Sequence, residues 1–382
     1  MRILITSSRA PVALELIRAF GRAGHTVVAT DSLPLTLGSH SRYLARHVVT
    51  PAPRHDPDGF AQTLRTVVQA ERIDWLIPTC EEVFWIARSY DQLQSVTNVF
   101  TSPLPVLAQL HHKGRLQRLA AELGLATPRT VELHSHAELR RVRPAFPDYL
   151  LKPAYSRFAT QIITNCGAQA GRRPLAACQP TPNAPWLIQA FCHGTPVCSY
   201  TTFHHGRATA HCAYTIPYRI GEGAGIAFVS SNGSETLAIA QRIGAALGYT
   251  GQLSLDFIAT SQGLMLLECN PRTVSAVHLM PSSKIIDGIT NAQSAIYSVP
   301  PGISGQLAPL VLAQALGQCK KWPGYLRDLV RMRDVMYAKD DLLPVLMQIP
   351  MTLSFVWNGI RHGITPTAAT TATIEWNGEY DV

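Results

Sequence analysis

No Cys-x-x-Cys pair occurs among the eight cysteines, which stand scattered at positions 80, 166, 178, 192, 198, 212, 269 and 319. Isolated thiols of this kind fit a reducing cytoplasm and not a disulfide framework. No continuous apolar run approaches the roughly 18 residues needed to cross a bilayer, so no membrane partner is expected. The opening Met1-Arg2-Ile3-Leu4-Ile5-Thr6 reads as a strand start and lacks the long apolar region and small-residue cleavage site of a signal peptide. The turn after that strand, Thr6-Ser7-Ser8-Arg9-Ala10-Pro11, has no G-x-G-x-x-G, which weakens any dinucleotide site despite the acid Asp31 after the second strand. No internal repeat or low-complexity tract is present. Long basic blocks are missing too. The net charge is +8, yet Arg140-Arg141-Val142-Arg143 and Lys320-Lys321 are short clusters without a nucleic-acid module, so no nucleic-acid partner is expected.

What is present is material for more than one core. At 382 residues, 46% hydrophobic and 15% charged, the chain predicts two or three globular domains. Its most informative stretch is Glu268-Cys269-Asn270-Pro271-Arg272, which closes the apolar run Leu264-Met265-Leu266-Leu267. That run reads as a short buried strand between Gly263 and Pro271. Glu268 and Asn270 are two apart and share a strand face, offering hard oxygen ligands to Mg²⁺, while Arg272 is placed to grip a phosphate. Asp256 sits in a second strand-like run, Leu253 to Ile258, and a turn at Ser261-Gln262-Gly263 makes a hairpin that brings it beside Glu268. A solvated edge or turn pair is the alternative for Glu-x-Asn alone.

Along the chain, residues 2–8 form an apolar strand run. A helix follows with Ala13, Leu16, Ile17 and Phe20 on one face, then a strand ending at Asp31, together a βαβ unit of the open parallel-sheet kind. A helix at about 57–71 leads to Trp75-Leu76-Ile77-Pro78-Thr79, followed by Glu81 and Glu82. These acids either face a cleft or offset the dipole of a following helix. Lys113 begins a helix carrying Leu116, Leu119 and Leu123, and Lys152 ends the strand Tyr149 to Pro153. Residues 168–185 read as a mobile connection, Trp186 to Phe191 as a strand, and Val197–Thr202 with Ala208–Thr215 as a pair around His204-His205-Gly206. A glycine-rich loop, Gly221-Glu222-Gly223-Ala224-Gly225, precedes a helix with Leu237, Ala240, Ile243 and Leu247 on one face. Beyond about residue 300 the chain reads as helical, ending in the tail Thr373-Ile374-Glu375-Trp376.

Lys113, Lys152-Pro153, Gln189-Ala190-Phe191 and Asp256 with Glu268-Cys269-Asn270-Pro271-Arg272 occur in an order that resembles the ATP-grasp superfamily of carboxylate–amine ligases. More narrowly, the chain resembles the group typified by the large subunit of carbamoyl-phosphate synthase. The likeness runs over roughly residues 1–290. It implies an α/β fold with a Rossmann-like parallel-sheet domain over 1–108 and a two-lobed α+β ATP-grasp domain over 109–300. The small lobe would span about 125–188 and the large lobe about 189–300, with a mostly helical extension over 301–382.

The same resemblance implies that Lys113 and Lys152 neutralise ATP phosphates, with exposed surface lysines as the alternative. It makes Gln189, Ala190 and Phe191 the adenine hinge, with Leu187 and Phe191 either packed on the purine or in the core. Asp256, Glu268 and Asn270 would hold Mg²⁺, or Mn²⁺ in its place. Arg272 would stabilise the transferring phosphoryl group, and Arg219 is a further candidate for a carboxylate or phosphate. Thr273, Ser275 and His278 would lie at the floor of the cleft. Two departures stand out. The loop after Lys152-Pro153 reads Ala154-Tyr155-Ser156-Arg157-Phe158-Ala159-Thr160, without the family's glycines, so Ser156 and Arg157 are candidates to replace backbone donors. Pro196 occupies the place where the family often has a ribose-binding acid.

The implied reaction is ATP-dependent activation of a small-molecule carboxylate as an acyl-phosphate, followed by attack of an amine to give an amide. Cys269 is expected to be a packing residue. Rival readings are a different acceptor on the same fold (thiol ester, acyl-phosphate or carbamoyl product), a dinucleotide oxidoreductase, and a non-catalytic nucleotide binder. A cytoplasmic location is expected, and oligomeric state is open, with a homodimer among the options.

Overall fold

Short apolar strands alternating with amphipathic helices build a parallel sheet from the first hundred residues. The computed structural model describes residues 1–157, 161–220, 223–317 and 322–379. Strands β1 (Arg2–Ile5), β2 (Thr26–Asp31), β3 (Arg46–Val49), β4 (Trp75–Ile77) and β5 (Asn98–Val99) pair in the order β3-β2-β1-β4-β5, all parallel. Helix α1 (Pro11–Arg22) starts on Pro11, whose missing N–H costs nothing in a first turn, and buries Ala13, Leu16, Ile17 and Phe20. Helix α2 (Pro57–Ala70) is capped by the Asp56 carboxylate, which accepts from Gly59 N–H at 2.9 Å. Helices α3 (Glu82–Arg88), α4 (Tyr90–Gln94), α5 (Leu104–His111) and α6 (Lys113–Glu122) complete this part. Asp31, the acid a dinucleotide ribose would need, is taken up by the buried Arg9 at 2.5 Å and by the N–H groups of Arg9 and Leu33.

The strand order reverses beside β1, where β2 departs on one side and β4 on the other, and such a reversal opens a crevice at the strands' C-terminal ends. Pro78-Thr79-Cys80-Glu81 emerges there.

A second sheet is antiparallel: β6 (Thr130–Leu133), β7 (Tyr149–Pro153), β8 (Ile163–Thr164) and β9 (Trp186–Ala190), in the order β6-β9-β7-β8. With α7 (His136–Val142) it encloses its own core of Leu133, Leu139, Phe146, Leu151, Ile163 and Ile188. The stretch expected to be a mobile connection carries two 3₁₀ turns, Gly167–Gln169 and Leu175–Ala177.

The third sheet holds β10 (Thr195–His204), β11 (Arg207–Arg219), β12 (Gly225–Ser231), β13 (Gly251–Thr260) and β14 (Gly263–Asn270), with α8 (Ser234–Leu247) and α9 (Ser282–Thr290). The two-residue turn His205-Gly206, both at positive φ (47° and 81°), closes the β10–β11 hairpin as the sequence predicts. Gly251 (φ +122°) seats this sheet on the parallel one: a Cβ there would meet Thr101 Cα at 3.0 Å. Gln252 locks the junction, donating to Pro78 O at 2.8 Å while its Oε1 accepts from the Tyr200 and Thr273 hydroxyls.

The C-terminal region differs from the helical expectation. Strands β15 (Tyr297–Ser298), β16 (Ser304–Gln306) and β17 (Arg333–Asp334) join the large sheet, giving the path β14-β13-β10-β11-β12-β16-β17 with β15 on β11. Ser304-Gly305-Gln306 has no apolar alternation, so only backbone pairing with β12 makes it a strand. Helices α10 (Ala308–Leu316), α11 (Trp322–Arg331), α12 (Leu343–His362) and α13 (Pro366–Ala369) follow. By length and composition α12 is long and apolar enough to cross a membrane, against the expectation from continuous apolar runs. Gln348, Thr352, Ser354 and Asn358 interrupt the run without lowering its average far. One face of α12, with Met351 and Phe355, packs on Leu14, Leu37, Val335 and Met336, while Leu346, Ile349, Leu353, Trp357 and Ile360 are exposed. The seven cysteines of the described residues are free thiols. Lys320-Lys321, Cys319, Phe158-Ala159-Thr160 and Gly221-Glu222 lie outside the described residues.

Candidate active site

The hairpin β13–β14 places Asp256 directly opposite Glu268 and Ser254 opposite Asn270. A bulge makes this possible. Phe257 pairs with Leu266 and Asp256 with Glu268, so Leu267 is an extra residue that shifts the strand's phase. Leu264 and Leu266 point into the core and Cys269 takes up the core side after the bulge, all three buried. Glu268 and Asn270 are thereby turned onto the opposite face, which opens on a cavity of about 470 Å³. Strict alternation would have aimed Glu268 at the core with the two leucines. The Asn270 carboxamide donates to Asp256 Oδ2 at 3.3 Å, and its oxygen faces Arg272 Nη2 at 3.4 Å. Cys269 is a packing residue, as expected.

Both lysines are buried, which removes the reading of exposed surface lysines. Lys113, at the first turn of α6, donates from Nζ to Ser156 O at 3.1 Å and lies 3.7 Å from Glu268 Oε2. Helix α6 is fixed to β14 by Gln117, which donates to Leu266 O at 3.3 Å. Lys152 is the penultimate residue of β7, one of the two inner strands of its sheet, and burial pulls its ammonium down to about 8 against the opposing pull of Glu268. Burial, then the neighbouring Glu268, raises the Asp256 carboxyl above its ordinary range. For Glu268 burial pushes upward, but Lys113 and Lys152 outweigh it and hold the carboxylate low. One acid of the pair is thus kept ionised by two ammonium groups.

The cavity is also lined by Ser156, Gln189, Ala190, Phe191, Cys192, Arg219 and Arg272, so every residue singled out for nucleotide or acyl-phosphate contact except Lys113 and Leu187 opens directly on it. The hinge needs a correction in detail. Ala190 N–H is bonded to Arg129 O at 2.9 Å and Phe191 N–H to Asp148 O at 3.0 Å, so neither is available to a purine edge. The next backbone donor, Cys192 N–H, has no intramolecular acceptor among the described residues and sits on the cavity wall. Gln189 is committed through its side chain to the Thr130 hydroxyl at 2.9 Å. Leu187 is core, whereas Phe191 faces the cavity. Arg219 ends β11 and donates to Gly223 O at 3.4 Å.

Thr273 and His278 do not reach the cleft floor. The Thr273 hydroxyl donates to Gln252 Oε1 at 2.6 Å, and buried His278 pairs through Nδ1 with Glu15 Oε2 at 2.8 Å, tying the large sheet to α1. Conversely, Glu81 and Arg157 belong to the site more firmly than the sequence suggests. Glu82 is the acid that serves the turn, accepting from Thr79 N–H at 2.9 Å, while buried Glu81 reaches across to Arg157 and lies 3.9 Å from Arg272 Nε. The available signal was the position of Glu81 at the C-terminal end of a parallel strand.

Among the described residues no cluster of three or more His, Cys, Asp or Glu side chains could form an all-protein metal cage. Two carboxylates and a carboxamide instead suit a hard cation that keeps part of its water shell and shares phosphate oxygens, as Mg²⁺ does. Four cationic side chains, Lys152, Arg157, Arg219 and Arg272, face two carboxylates across the cavity, which favours a polyphosphate.

An N-terminal parallel sheet, a small antiparallel lobe and a large sheet enclosing a cation-rich cleft together define the ATP-grasp fold, and solved structures agree. The chain is similar to N5-carboxyaminoimidazole ribonucleotide synthetase in its ADP complex (TM-score 0.63, 11% identity, 85% of this chain and 86% of that one). It is also similar to the L-amino acid ligase of Bacillus licheniformis (TM-score 0.55, 16% identity, 75% and 71%). A third likeness is to the biotin carboxylase domain of 2-oxoglutarate carboxylase from Hydrogenobacter thermophilus, solved with MgADP and bicarbonate (TM-score 0.59, 14% identity, 79% and 73%). The chain therefore has the fold of the ATP-grasp superfamily. No protein-family model and no curated protein matches it.

Proposed function

We propose that the protein is an ATP- and Mg²⁺-dependent carboxylate–amine ligase acting on small molecules in the cytoplasm. The observation that carries this reading is the convergence of Asp256, Glu268 and Asn270 on one cavity wall, with Lys152 on the same cavity and Lys113 paired to Glu268. Bound at the three oxygen-bearing side chains, Mg²⁺ (or Mn²⁺) would offset charge on the β- and γ-phosphates.

The chain's own residues supply position and field. Lys152 and Lys113 draw the polyphosphate into the cleft, the hinge at Ala190–Cys192 offers the purine a backbone edge, and Arg272 stabilises the migrating phosphoryl group. A substrate carboxylate oxygen attacks the γ-phosphorus and the bond to the β-phosphate oxygen breaks, releasing ADP. The amine nitrogen then bonds to the acyl carbon as the carbon–oxygen bond to phosphate breaks, and the amine's proton leaves with the phosphate. Excluding water from the cleft protects the acyl-phosphate.

The test is a Mg-ATP-dependent phosphate-release screen against pools of carboxylic acids and amines, with mass spectrometry of the product. An amide appearing with stoichiometric ADP supports the reading. Absence of Mg-ATP binding, or a product lacking a new C–N bond, removes it.

A further inference from the structure

We propose that Arg157 is the γ-phosphate ligand of this protein and that the C-terminal segment Trp376–Asn377 is built into the active site to hold it there. This rests on the ATP-dependent reading of the same cleft. Residues 154–160 hold no glycine, the residue that lets a phosphate loop bring its backbone N–H groups closely over a phosphate. A guanidinium takes up that position instead. Arg157 lines the cavity together with Lys152, Ser156, Asp256, Glu268 and Arg272, and its side chain is only 11% exposed.

Two separate parts of the chain, Glu81 and residues 375–377, grip it. Its Nε donates to Glu81, in the turn between β4 and α3. Its Nη1 donates to Asn377 Oδ1 at 2.7 Å and its Nη2 to the Trp376 carbonyl. Glu375 adds a carboxylate 3.6 Å from Nη1. A long flexible side chain fastened at three points has already lost its rotamer entropy, so binding an oxyanion costs less. Glu81 also lies 3.9 Å from Arg272 Nε, which puts the two guanidinium groups on either side of one carboxylate.

The tail is itself anchored. Trp376 is 1% exposed and stacks on Phe84 with ring centroids 4.9 Å apart and planes 13° from parallel. Tyr155, two residues before Arg157, meets the same indole edge-on at 5.4 Å. Gly378 (φ +91°) turns the chain where a Cβ would strike the Tyr155 ring at 2.7 Å. Upstream, Ile374 O accepts from Trp85 Nε1 at 3.0 Å, and Arg54 pairs with Glu375. The parallel-sheet part, the small lobe and residues 374–378 therefore meet around one guanidinium.

The experiment measures Mg-ATP and Mg-ADP affinities by calorimetry for the full chain and for Arg157→Ala, Arg157→Lys and Asn377→Ala, with melting temperatures recorded for each. Losing a charge-assisted contact to the γ-phosphate should weaken ATP about tenfold and ADP less than about threefold in Arg157→Ala. Arg157→Lys should recover part of the ATP affinity. Asn377→Ala, which touches no nucleotide, should show the same ATP-selective loss at about threefold, with its melting temperature unchanged. Equal loss of ATP and ADP in Arg157→Ala would mean that the residue only shapes the loop, and this overturns the proposal. Wild-type behaviour of Asn377→Ala overturns the role of the tail. If the unaltered protein binds neither nucleotide, the ATP-dependent reading fails before this one.

Discussion

Lys113 Nζ lies 3.7 Å from Glu268 Oε2, so the start of an α-helix and the end of a β-hairpin are joined by one charge pair, its lysine buried and its carboxylate partly open to the cleft. The pair explains why Glu268 stays ionised beside a second acid. It also sets the polarity of the cleft: an anionic cation-binding wall with ammonium groups within reach.

Replacing Glu268 by Gln keeps the shape and the strand pairing but removes the charge a divalent cation needs. ATP turnover should fall by about 100-fold or more while the circular dichroism spectrum and melting temperature stay near the parent's. Coupled ADP-release assays with the identified substrates check this. Full activity in the variant would dismiss the metal assignment.

Lys152→Ala should raise the KM for ATP by about 10- to 100-fold, the cost of one charge-assisted phosphate contact. The kcat at saturating ATP should change less. An unchanged KM would separate Lys152 from the phosphates.

His211 gives the fold an acid limit. It is fully buried, holds Thr201 at 2.8 Å and Thr236 at 3.0 Å through its two ring nitrogens, and burial lowers it from 6.5 to about 4. The folded state favours the neutral ring, so its contribution is complete above pH 6.5. As pH falls from 6.5 to 4 the unfolded chain takes up the proton first, and on the order of 3 kcal/mol is lost. Urea unfolding at pH 7 and pH 4.5 should show this decline, with a shallower one in His211→Gln. Identical slopes in both proteins would refute it.

Two neighbours on α12 should behave oppositely. Phe355 is buried against Leu14, Leu37 and Met336, and Phe355→Ala should destabilise by about 3 kcal/mol. Leu353 is 63% exposed, and Leu353→Ala should move stability by no more than about 0.5 kcal/mol. Chemical denaturation of the two variants distinguishes the faces. A large effect at Leu353 would mean that this face is covered in solution.

The sequence by itself determined which segments pair and which residues carry charge into them. Apolar periodicity located the first βαβ unit, the β10–β11 hairpin and the β13–β14 hairpin, because burial of one face is a local pattern. Residue chemistry singled out Asp256, Glu268, Asn270, Lys152 and Arg272, since ionised groups at the ends of buried strands need partners. Tertiary structure alone decided the rest. The extra residue Leu267, which turns Glu268 from the core to the cavity, is a matter of strand register, and register is fixed by the opposite strand. Thr273 and His278 were lost to Gln252 and Glu15 because those partners stand 21 and 263 residues away in sequence. Glu81, Arg157 and Asn377 meet only after three remote segments pack together, and no local spacing encodes such a meeting.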